Sequence, residues 1–376
     1  MATPVETNTV IIGASAAGLA VAACLKRANV PFILLEQSDR VAQSWRSHYD
    51  RLHLHTNKFF SHLPFVSFPA DVPRYASRDQ VVAYLEDYAK INGLSPRFGQ
   101  HVLSADFVEG KWQTETTDAR YRSNNLVIAA GYAHTPIIPH WQGETSFHGQ
   151  ILHSSAYKNG ASYRGKSVLV VGVGNSGGEI AIDLHEHGAQ PALSVRSAVN
   201  VIKRDTLGIP SLAIGILLNR LPAHLADALT APVRRITVGD TEALGLGKPP
   251  YGPVEQIQKT GRIPLLDIGT LQLIRSGQIT VYPDIEQFTS DGIRFSNGVA
   301  SAFDAVILAT GYRPNLESFL KPAAKVTDAK GIPLVSGAES ALPGLYFCGY
   351  YVSPNGMLRE ISREAKRISG AIQNSQ

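Results

Sequence analysis

The feature that most constrains the fold is a pattern that occurs twice: a short β-branched run, a glycine-rich turn, and a stretch rich in alanine, leucine or isoleucine. The first copy covers residues 9–28 and the second covers residues 167–185. Each predicts strand, tight turn and helix, and each continues into a second β-branched strand, at residues 32–35 and 193–195. These are βαβ units with right-handed crossovers. The chain is therefore predicted to contain two related dinucleotide-binding folds.

The glycine-rich turns are predicted to bind pyrophosphate, because glycine permits a sharp turn and lets backbone N–H groups approach phosphate at a helix N-terminus. The first turn departs from the usual pattern at its middle position, where Ser15 replaces glycine. We expect the Ser15 hydroxyl to donate to a phosphate oxygen, so that the site is retained. The first loop comprises Gly13, Ala14, Ser15, Ala16, Ala17 and Gly18, and the second loop comprises Gly172, Val173, Gly174, Asn175, Ser176 and Gly177.

The residue that follows the second strand of each unit indicates the nucleotide, because it lies beside the adenosine ribose. In the first unit it is Glu36, followed by Gln37. A carboxylate accepts hydrogen bonds from ribose hydroxyls and repels a 2′-phosphate, which predicts FAD. In the second unit it is Arg196, followed by Ser197. A guanidinium and a hydroxyl accommodate a 2′-phosphate, which predicts NADPH; the alternative for Arg196 is a solvated surface charge.

Each unit closes on an apolar strand that ends in glycine, at residues 126–131 and 305–311, and residues 345–349 resemble one more strand of the first sheet. The predicted fold class is α/β, with two Rossmann-like dinucleotide-binding domains, the second inserted in the first and each with a β-meander. Gly131 and Gly349 are expected to bind cofactor. The predicted boundaries are residues 1–155 plus 306–376 for the FAD-binding domain and residues 156–305 for the NADP-binding domain.

Composition narrows the class of protein. The 376 residues carry 35 lysines and arginines against 31 carboxylates, too small an excess for a dedicated nucleic-acid-binding protein. Cys24 and Cys348 form no CxxC pair, which argues against a disulfide scaffold, a redox dithiol and a structural zinc site, and no histidine cluster has metal-ligand spacing. The N-terminus shows no secretory signal, so a cytoplasmic location is predicted.

The most apolar run, residues 211–218, is too short to cross a bilayer, which takes about 20 residues. We predict a buried helix there and no transmembrane segment. Contact with one face of a membrane is the alternative.

Residues 147–157 match the pattern F-x-G-x-x-x-H-x-x-x-Y at all four fixed positions, Phe147, Gly149, His153 and Tyr157. With this motif directly before the second glycine loop, the chain resembles the class B flavin-containing monooxygenases, and most of all their YUCCA-like (indole-3-pyruvate monooxygenase) branch. The resemblance covers nearly the whole chain.

The resemblance implies a reaction in two halves. NADPH reduces FAD by hydride transfer; O2 then adds at the flavin C4a position, and the C4a-hydroperoxyflavin transfers one oxygen atom to a small organic substrate. The branch implies a 2-oxo acid such as indole-3-pyruvate, whereas other relatives oxygenate amine nitrogen, sulfide sulfur or indole. A 2-oxo acid would require a cationic partner, for which the candidates are Arg204, Arg234 and Arg235.

Two other functions stay open at this stage. One is an NADPH oxidase or flavin reductase that releases hydrogen peroxide, and the other is a non-catalytic nucleotide-binding redox sensor. The expected partners are a small-molecule substrate and O2, and a homodimer is considered.

By the same resemblance, the segment around residues 51–58 runs beside the isoalloxazine ring. His55 is the first catalytic candidate, as a flavin or nicotinamide contact, and Asn57 is the second; the alternative for His55 is a hydrogen-bonded structural histidine. Trp45 is expected to pack in the FAD-binding domain. His153 and Tyr157 are assigned to the interdomain hinge and the cofactor surroundings, not to proton transfer.

Overall fold

The computed structural model describes residues 3–206, 208–218, 221–353 and 355–375. The strands, numbered in chain order, are β1 (Val5–Ile12), β2 (Phe32–Leu35), β3 (Val102–Val108), β4 (Lys111–Thr116), β5 (Arg120–Ile128), β6 (Thr135–Pro136), β7 (Gln150–His153), β8 (Ser167–Val171), β9 (Gln190–Ser194), β10 (Val201–Lys203), β11 (Asp205–Thr206), β12 (Ile209–Pro210), β13 (Leu265–Asp267), β14 (Thr280–Tyr282), β15 (Ile285–Phe288), β16 (Gly292–Phe295), β17 (Ala300–Ala302), β18 (Ala305–Leu308), β19 (Tyr312–Arg313) and β20 (Leu345–Phe347). The α-helices are α1 (Ala16–Arg27), α2 (Gln43–Arg46), α3 (Arg78–Ile91), α4 (Asn175–Glu186), α5 (Ser211–Leu218), α6 (Ala223–Thr237), α7 (Pro253–Thr260), α8 (Thr270–Arg275) and α9 (Met357–Asn374). The chain divides into two compact units, residues 1–47, 56–135 and 312–376 in the first and residues 48–55 and 136–311 in the second.

The first unit is built on a parallel sheet that an antiparallel meander extends. β1 pairs in parallel with β2 on one side and with β5 on the other, and β20 also pairs in parallel with β5. The first half of β5 pairs with β4, which pairs with β3, and both of these pairings are antiparallel. The buried side chains of helix α1, from Ala16 to Leu25, are mostly small, so neighbouring elements can approach the helix closely. The pairing of β20 with β5 confirms the additional strand predicted at residues 345–349.

The second unit repeats this plan. Its sheet has the strand order β14-β9-β8-β18-β7, and all four pairings are parallel. Strands β15, β16 and β17 form an antiparallel meander. The core lies between the sheet and α4, where Val168 and Val170 pack with Ile180 and Leu184. The predicted fold class, two Rossmann-like units each with a β-meander, is confirmed.

The boundaries of the compact units differ from the predicted domain boundaries. The prediction assigned residues 136–155 and 306–311 to the FAD-binding domain. However, β18 pairs with both β8 and β7, so these strands belong to the second sheet. Residues 48–55 also group with the second unit, because Tyr49 and Leu52 pack in its core. These boundaries depend on pairing between strands that are far apart in the sequence, and local sequence patterns do not indicate such pairing.

The apolar run at residues 211–218 forms helix α5, as predicted, but the predicted burial is wrong. None of its residues is buried, and Leu217 is 78% exposed. The helix follows the two-stranded hairpin β11–β12, which offers little surface to cover it. Within the described ranges, no helix is long and apolar enough to span a membrane.

Candidate functional site

The first glycine loop, residues 13–18, depends on the absence of side chains at its two ends. Gly13 has φ +103°, and a β-carbon there would lie 2.6 Å from the carbonyl oxygen of Ala129 at the end of β5. A β-carbon at Gly18 would overlap the carbonyl oxygen of Gly13. These two positions therefore require glycine for the loop to pass close to the neighbouring strand and begin α1.

The second glycine loop, residues 172–177, has the same geometry. Gly172 has φ +99°, and a β-carbon there would lie 2.7 Å from the carbonyl oxygen of Ala309, which follows β18. A β-carbon at Gly177 would overlap the carbonyl oxygen of Gly172. Each loop leaves the backbone N–H groups at the start of its helix without i−4 partners, and such groups bind phosphate.

The middle position of the two loops explains why serine is accepted in the first. Ser15 has φ −100° and ψ −161°, and Gly174 has φ −103° and ψ −168°. A β-carbon at Gly174 would meet no atom within 4 Å. Serine therefore fits this backbone without strain, and the Ser15 hydroxyl lies 3.0 Å from that of Ser44.

Glu36 lies directly after β2 and against the first loop. Its buried carboxylate accepts hydrogen bonds from the Ala14 N–H (2.7 Å) and from the N–H and hydroxyl of Ser38 (3.0 and 2.8 Å). A carboxylate has about four acceptor positions, so capacity remains for ribose hydroxyls. The neighbouring Gln37 is exposed, and its side-chain oxygen lies 3.2 Å from Nδ1 of His101.

Arg196 and Ser197 are exposed directly beyond β9, beside the second loop, whose Gly172 N–H donates to Ser194 (3.0 Å). The structure adds a residue that the sequence analysis missed. The Arg262 guanidinium donates to the Ser197 hydroxyl at 3.2 Å. Arg262 is 65 positions away from Ser197 in the chain, so no local motif reveals it. Arg262 thus joins Ser197, which follows Arg196 in the chain, at the predicted 2′-phosphate position.

The other residues predicted to bind FAD lie in the first unit. Gly131 follows β5 with φ +94°, and Gly349 follows β20 with φ +87°. Because β5 and β20 are parallel neighbours, these two glycines lie at the same edge of the sheet. The Gly349 N–H donates to Glu364 (2.6 Å). Trp45 is half-buried in α2, which contacts the first loop through Ser44.

His55 is paired with a carboxylate that the sequence analysis did not select. Its Nε2 lies 2.7 Å from Oε1 of Glu179, and the two side chains are 13% and 2% exposed. The two groups lie close together but without the alignment of a hydrogen bond, and within the described residues Nδ1 of His55 has no hydrogen-bond partner. A buried polar atom is therefore available to a ligand. Glu179 could have been found as the one charge among the small and apolar residues 177–182, where it needs a partner.

Asn57, the second catalytic candidate, caps a short 3-10 turn. Its side-chain oxygen accepts a hydrogen bond from the Phe59 N–H at 3.0 Å, and the residue is buried. This contact uses the acceptor oxygen, so a catalytic role of Asn57 would fall to its amide NH2 group.

The fingerprint motif at residues 147–157 has a structural role in the second unit. A β-carbon at Gly149 would lie 2.7 Å from the Asp304 carbonyl oxygen, and Nε2 of His153 lies 3.1 Å from the Gly311 carbonyl oxygen. The Tyr157 hydroxyl donates to Asp183 of α4 at 2.5 Å. Burial lowers the pKa of His153, and burial together with Asp183 raises that of Tyr157. Both shifts favour the uncharged form of the side chain.

The three arginines proposed to bind a substrate carboxylate have different surroundings. Nε of Arg204 contacts Asp205 at 3.1 Å, and Arg235 is exposed on α6. Arg234 is partly buried, and its Nη1 has no hydrogen-bond partner in the part of the chain that the structure describes.

Comparison with known proteins identifies the family. Residues 10–208 match the model of the pyridine nucleotide-disulphide oxidoreductase family. The rice indole-3-pyruvate monooxygenase YUCCA1 is 43% identical over 354 residues, covering 91% of this chain and 86% of its own. The Arabidopsis thaliana indole-3-pyruvate monooxygenase YUCCA6 is 41% identical, with 98% of this chain and 90% of its own covered.

Solved structures show the same fold at low identity. The flavin-containing monooxygenase from Stenotrophomonas maltophilia superposes with a TM-score of 0.76 at 21% identity, covering 99% of both chains. A cyclohexanone monooxygenase superposes with a TM-score of 0.70 at 16% identity, covering 99% of this chain and 88% of the other.

Two Rossmann-like units, each with a glycine loop of phosphate-binding geometry, define a protein with two dinucleotide-binding sites. The relatives make the class more specific. The chain belongs to the YUCCA family of flavin-dependent monooxygenases, which use FAD and NADPH. The glycine loops, the buried acceptor Glu36 and the arginines beside Ser197 fit these two cofactors.

The cysteines do not support disulfide chemistry, although the description of the family model names it. Cys24 and Cys348 are both free and buried. Burial raises the pKa of the Cys24 thiol to about 11 and that of the Cys348 thiol well above its usual value. Neither is a reactive thiolate at neutral pH.

Proposed function

We propose that this enzyme is an NADPH-dependent monooxygenase of 2-oxo acids such as indole-3-pyruvate, with FAD at the first glycine loop and NADPH at the second. The observation that carries the assignment of the loops is their opposite charge. A carboxylate is held 2.7 Å from the Ala14 N–H beside the first loop, whereas Arg262 joins Arg196 and Ser197 beside the second. The acidic position favours an unphosphorylated ribose, and the basic position favours a 2′-phosphate.

The residues of the chain bind, orient and shield. FAD, when bound, would supply the activation of O2, and NADPH would supply the electrons. The loops would hold the pyrophosphates through backbone N–H groups, and Trp45, Gly131 and Gly349 would line the FAD site. His55, kept in place by Glu179, would present its unpartnered Nδ1 to cofactor or substrate. Asn57 is proposed to contribute through its amide group.

The proposed substrate class rests on the names of the relatives and on one basic group. Relatives at 41–43% identity over most of the chain are named indole-3-pyruvate monooxygenases. The partly buried Arg234, with Nη1 unpartnered in the described chain, is the best candidate for the substrate carboxylate. The overall change would convert 2-oxo acid, O2, NADPH and a proton to the carboxylic acid one carbon shorter, CO2, water and NADP⁺.

The experiment is turnover of a substrate panel by the FAD-loaded enzyme with NADPH. The panel contains indole-3-pyruvate, phenylpyruvate, a tertiary amine, a methyl sulfide and indole, and products are identified by mass spectrometry. We expect indole-3-acetate from indole-3-pyruvate. Consumption of NADPH without any oxygenated product would instead establish an NADPH oxidase.

The cellular location and the partners of the enzyme are also proposals. We place it in the cytoplasm with a small-molecule substrate and O2 and without nucleic acid, in keeping with its near-balanced charge. A homodimer stays a prediction, to be measured by light scattering.

A further inference from the structure

The apolar side of helix α6 faces outward. Residues three or four positions apart form one exposed nonpolar surface, in which Leu229 is 62% and Ile236 is 85% exposed. A surface helix ordinarily turns this side toward the core. We call this surface the outer face of α6; it comprises Leu225, Ala228, Leu229, Pro232, Val233 and Ile236.

The opposite side of α6 is held to the second unit by polar contacts. The carboxylate of Asp227 is buried and accepts hydrogen bonds from the N–H groups of Val254 (3.0 Å) and Glu255 (2.9 Å) in the first turn of α7. A β-carbon at Gly252 would collide with the Asp227 carboxylate, so this contact requires glycine at position 252. These contacts fix which side of α6 is outward.

The exposed apolar surface continues in the chain before α6. Ile209, Leu217 and Leu221 are each more than a third exposed, and the other residues of α5 are half-buried. Together with the outer face of α6, these residues form an apolar segment at positions 209–236. Several large apolar side chains exposed along one stretch of chain indicate an interaction site.

The exposed charge in the described part of this segment is positive. Its only carboxylate, Asp227, is buried, and its basic residues are Arg220, which lies outside the described residues, Arg234 and Arg235. Arg235 is exposed next to Ile236. An exposed nonpolar helical face that ends beside an exposed arginine, with no exposed carboxylate in the described part of positions 209–236, is complementary to an anionic lipid surface.

We propose that α5 and the outer face of α6 bind the surface of an anionic phospholipid bilayer, with the helices lying in the interface. A second copy of the chain suits this segment less well. A twofold contact would bring two such faces together, and the described part of the segment offers no exposed carboxylate to meet Arg235.

The test is flotation of the FAD-loaded full chain with vesicles of phosphatidylcholine, alone or with about 30 mol % phosphatidylglycerol. The variant Leu229→Gln/Ile236→Gln removes apolar contact without adding charge. Its matched control is Ile91→Gln/Leu334→Gln, which alters two side chains of the first unit that are 66% and 65% exposed. Arg235→Gln tests the charge, and Arg294→Gln, exposed on β16, is its control. Flavin content and melting temperature establish that each variant is folded.

We expect binding to the anionic vesicles that falls about fivefold or more on neutral vesicles, since each arginine near the surface contributes a factor of this size. The double variant should lose about tenfold in partitioning, Arg235→Gln about fivefold, and neither control more than twofold. Absence of wild-type flotation, or equal losses in variant and control, would overturn the proposal. A homodimer that Leu229→Gln/Ile236→Gln converts to monomer, without vesicle binding, would show that a second copy covers the face instead.

Discussion

His55 and Glu179 form a buried pair, with Nε2 of the histidine 2.7 Å from Oε1 of the carboxylate. Glu179 lies two positions after the last glycine of the second loop, so α4 carries both the phosphate-binding start of the helix and the partner of His55. This short contact links His55, which is proposed to contact cofactor or substrate, to the nucleotide-binding helix α4.

We predict that the contributions of His55 and Glu179 to stability are coupled. His55→Ala and Glu179→Ala should each lower the free energy of unfolding by about 3 kcal/mol, because each leaves its buried partner unpaired. The double variant should cost clearly less than the sum of the two. Denaturant unfolding monitored by circular dichroism measures this, and additive losses would show that the pair does not interact. The partly exposed pair Glu255–Lys259 on α7 is the control, with an expected coupling below about 0.5 kcal/mol.

The glycines of the second loop should differ in their tolerance of substitution. Gly174→Ser should retain NADPH binding and melting temperature, because the position is open and Ser15 adopts the same backbone in the first loop. Gly177→Ala should weaken NADPH binding by more than about tenfold and lower stability, because its β-carbon would overlap the Gly172 carbonyl oxygen. Equal tolerance at both positions, by titration and thermal unfolding, would contradict the loop geometry.

Arg196 and Arg262 should select the phosphorylated nucleotide together. Arg196→Ala and Arg262→Ala should each raise the KM for NADPH about tenfold or more and change the KM for NADH less than about twofold, since each removes a charge-assisted contact that only the 2′-phosphate provides. Arg294→Ala is the control on the same unit. Equal changes for both nucleotides would show that these arginines do not contact the phosphate.

His153 should make stability depend on pH. Burial lowers its pKa, so the folded state favours the neutral ring, whereas the unfolded chain takes up a proton near pH 6.5. The neutral ring therefore contributes stability above about pH 6.5, and this contribution is lost as the pH falls through that value toward the lower pKa of the folded state. We expect the melting temperature of wild type to fall more between pH 7.5 and pH 5.5 than that of His153→Gln. Parallel profiles would exclude His153 as the source.

The parts of the fold that are determined by residues close together in the sequence could be predicted from it. Both strand–loop–helix units, the strand at residues 345–349 and the position of Glu36 follow from short patterns, because a tight turn and the strand before it are set locally. The assignment of β7 to the second sheet was not predictable, because it depends on pairing with β18 across more than 150 residues.

The site was predictable to a similar degree. The loops and Arg196 could be identified by spacing, whereas Arg262 meets Ser197 only through the folded chain. Helix α5 is only half-buried and the outer face of α6 is exposed, in contrast to the usual rule that apolar runs are buried, and that departure points to a partner surface.

The most direct test of the monooxygenase assignment is the fate of labelled oxygen. The FAD-loaded enzyme is supplied with NADPH, indole-3-pyruvate and ¹⁸O2 in the presence of catalase, which removes any released peroxide that could oxidise the 2-oxo acid without the enzyme. The account predicts one ¹⁸O atom in each indole-3-acetate formed and about one product for each NADPH consumed. Unlabelled product, or loss of product when catalase is added, would contradict it.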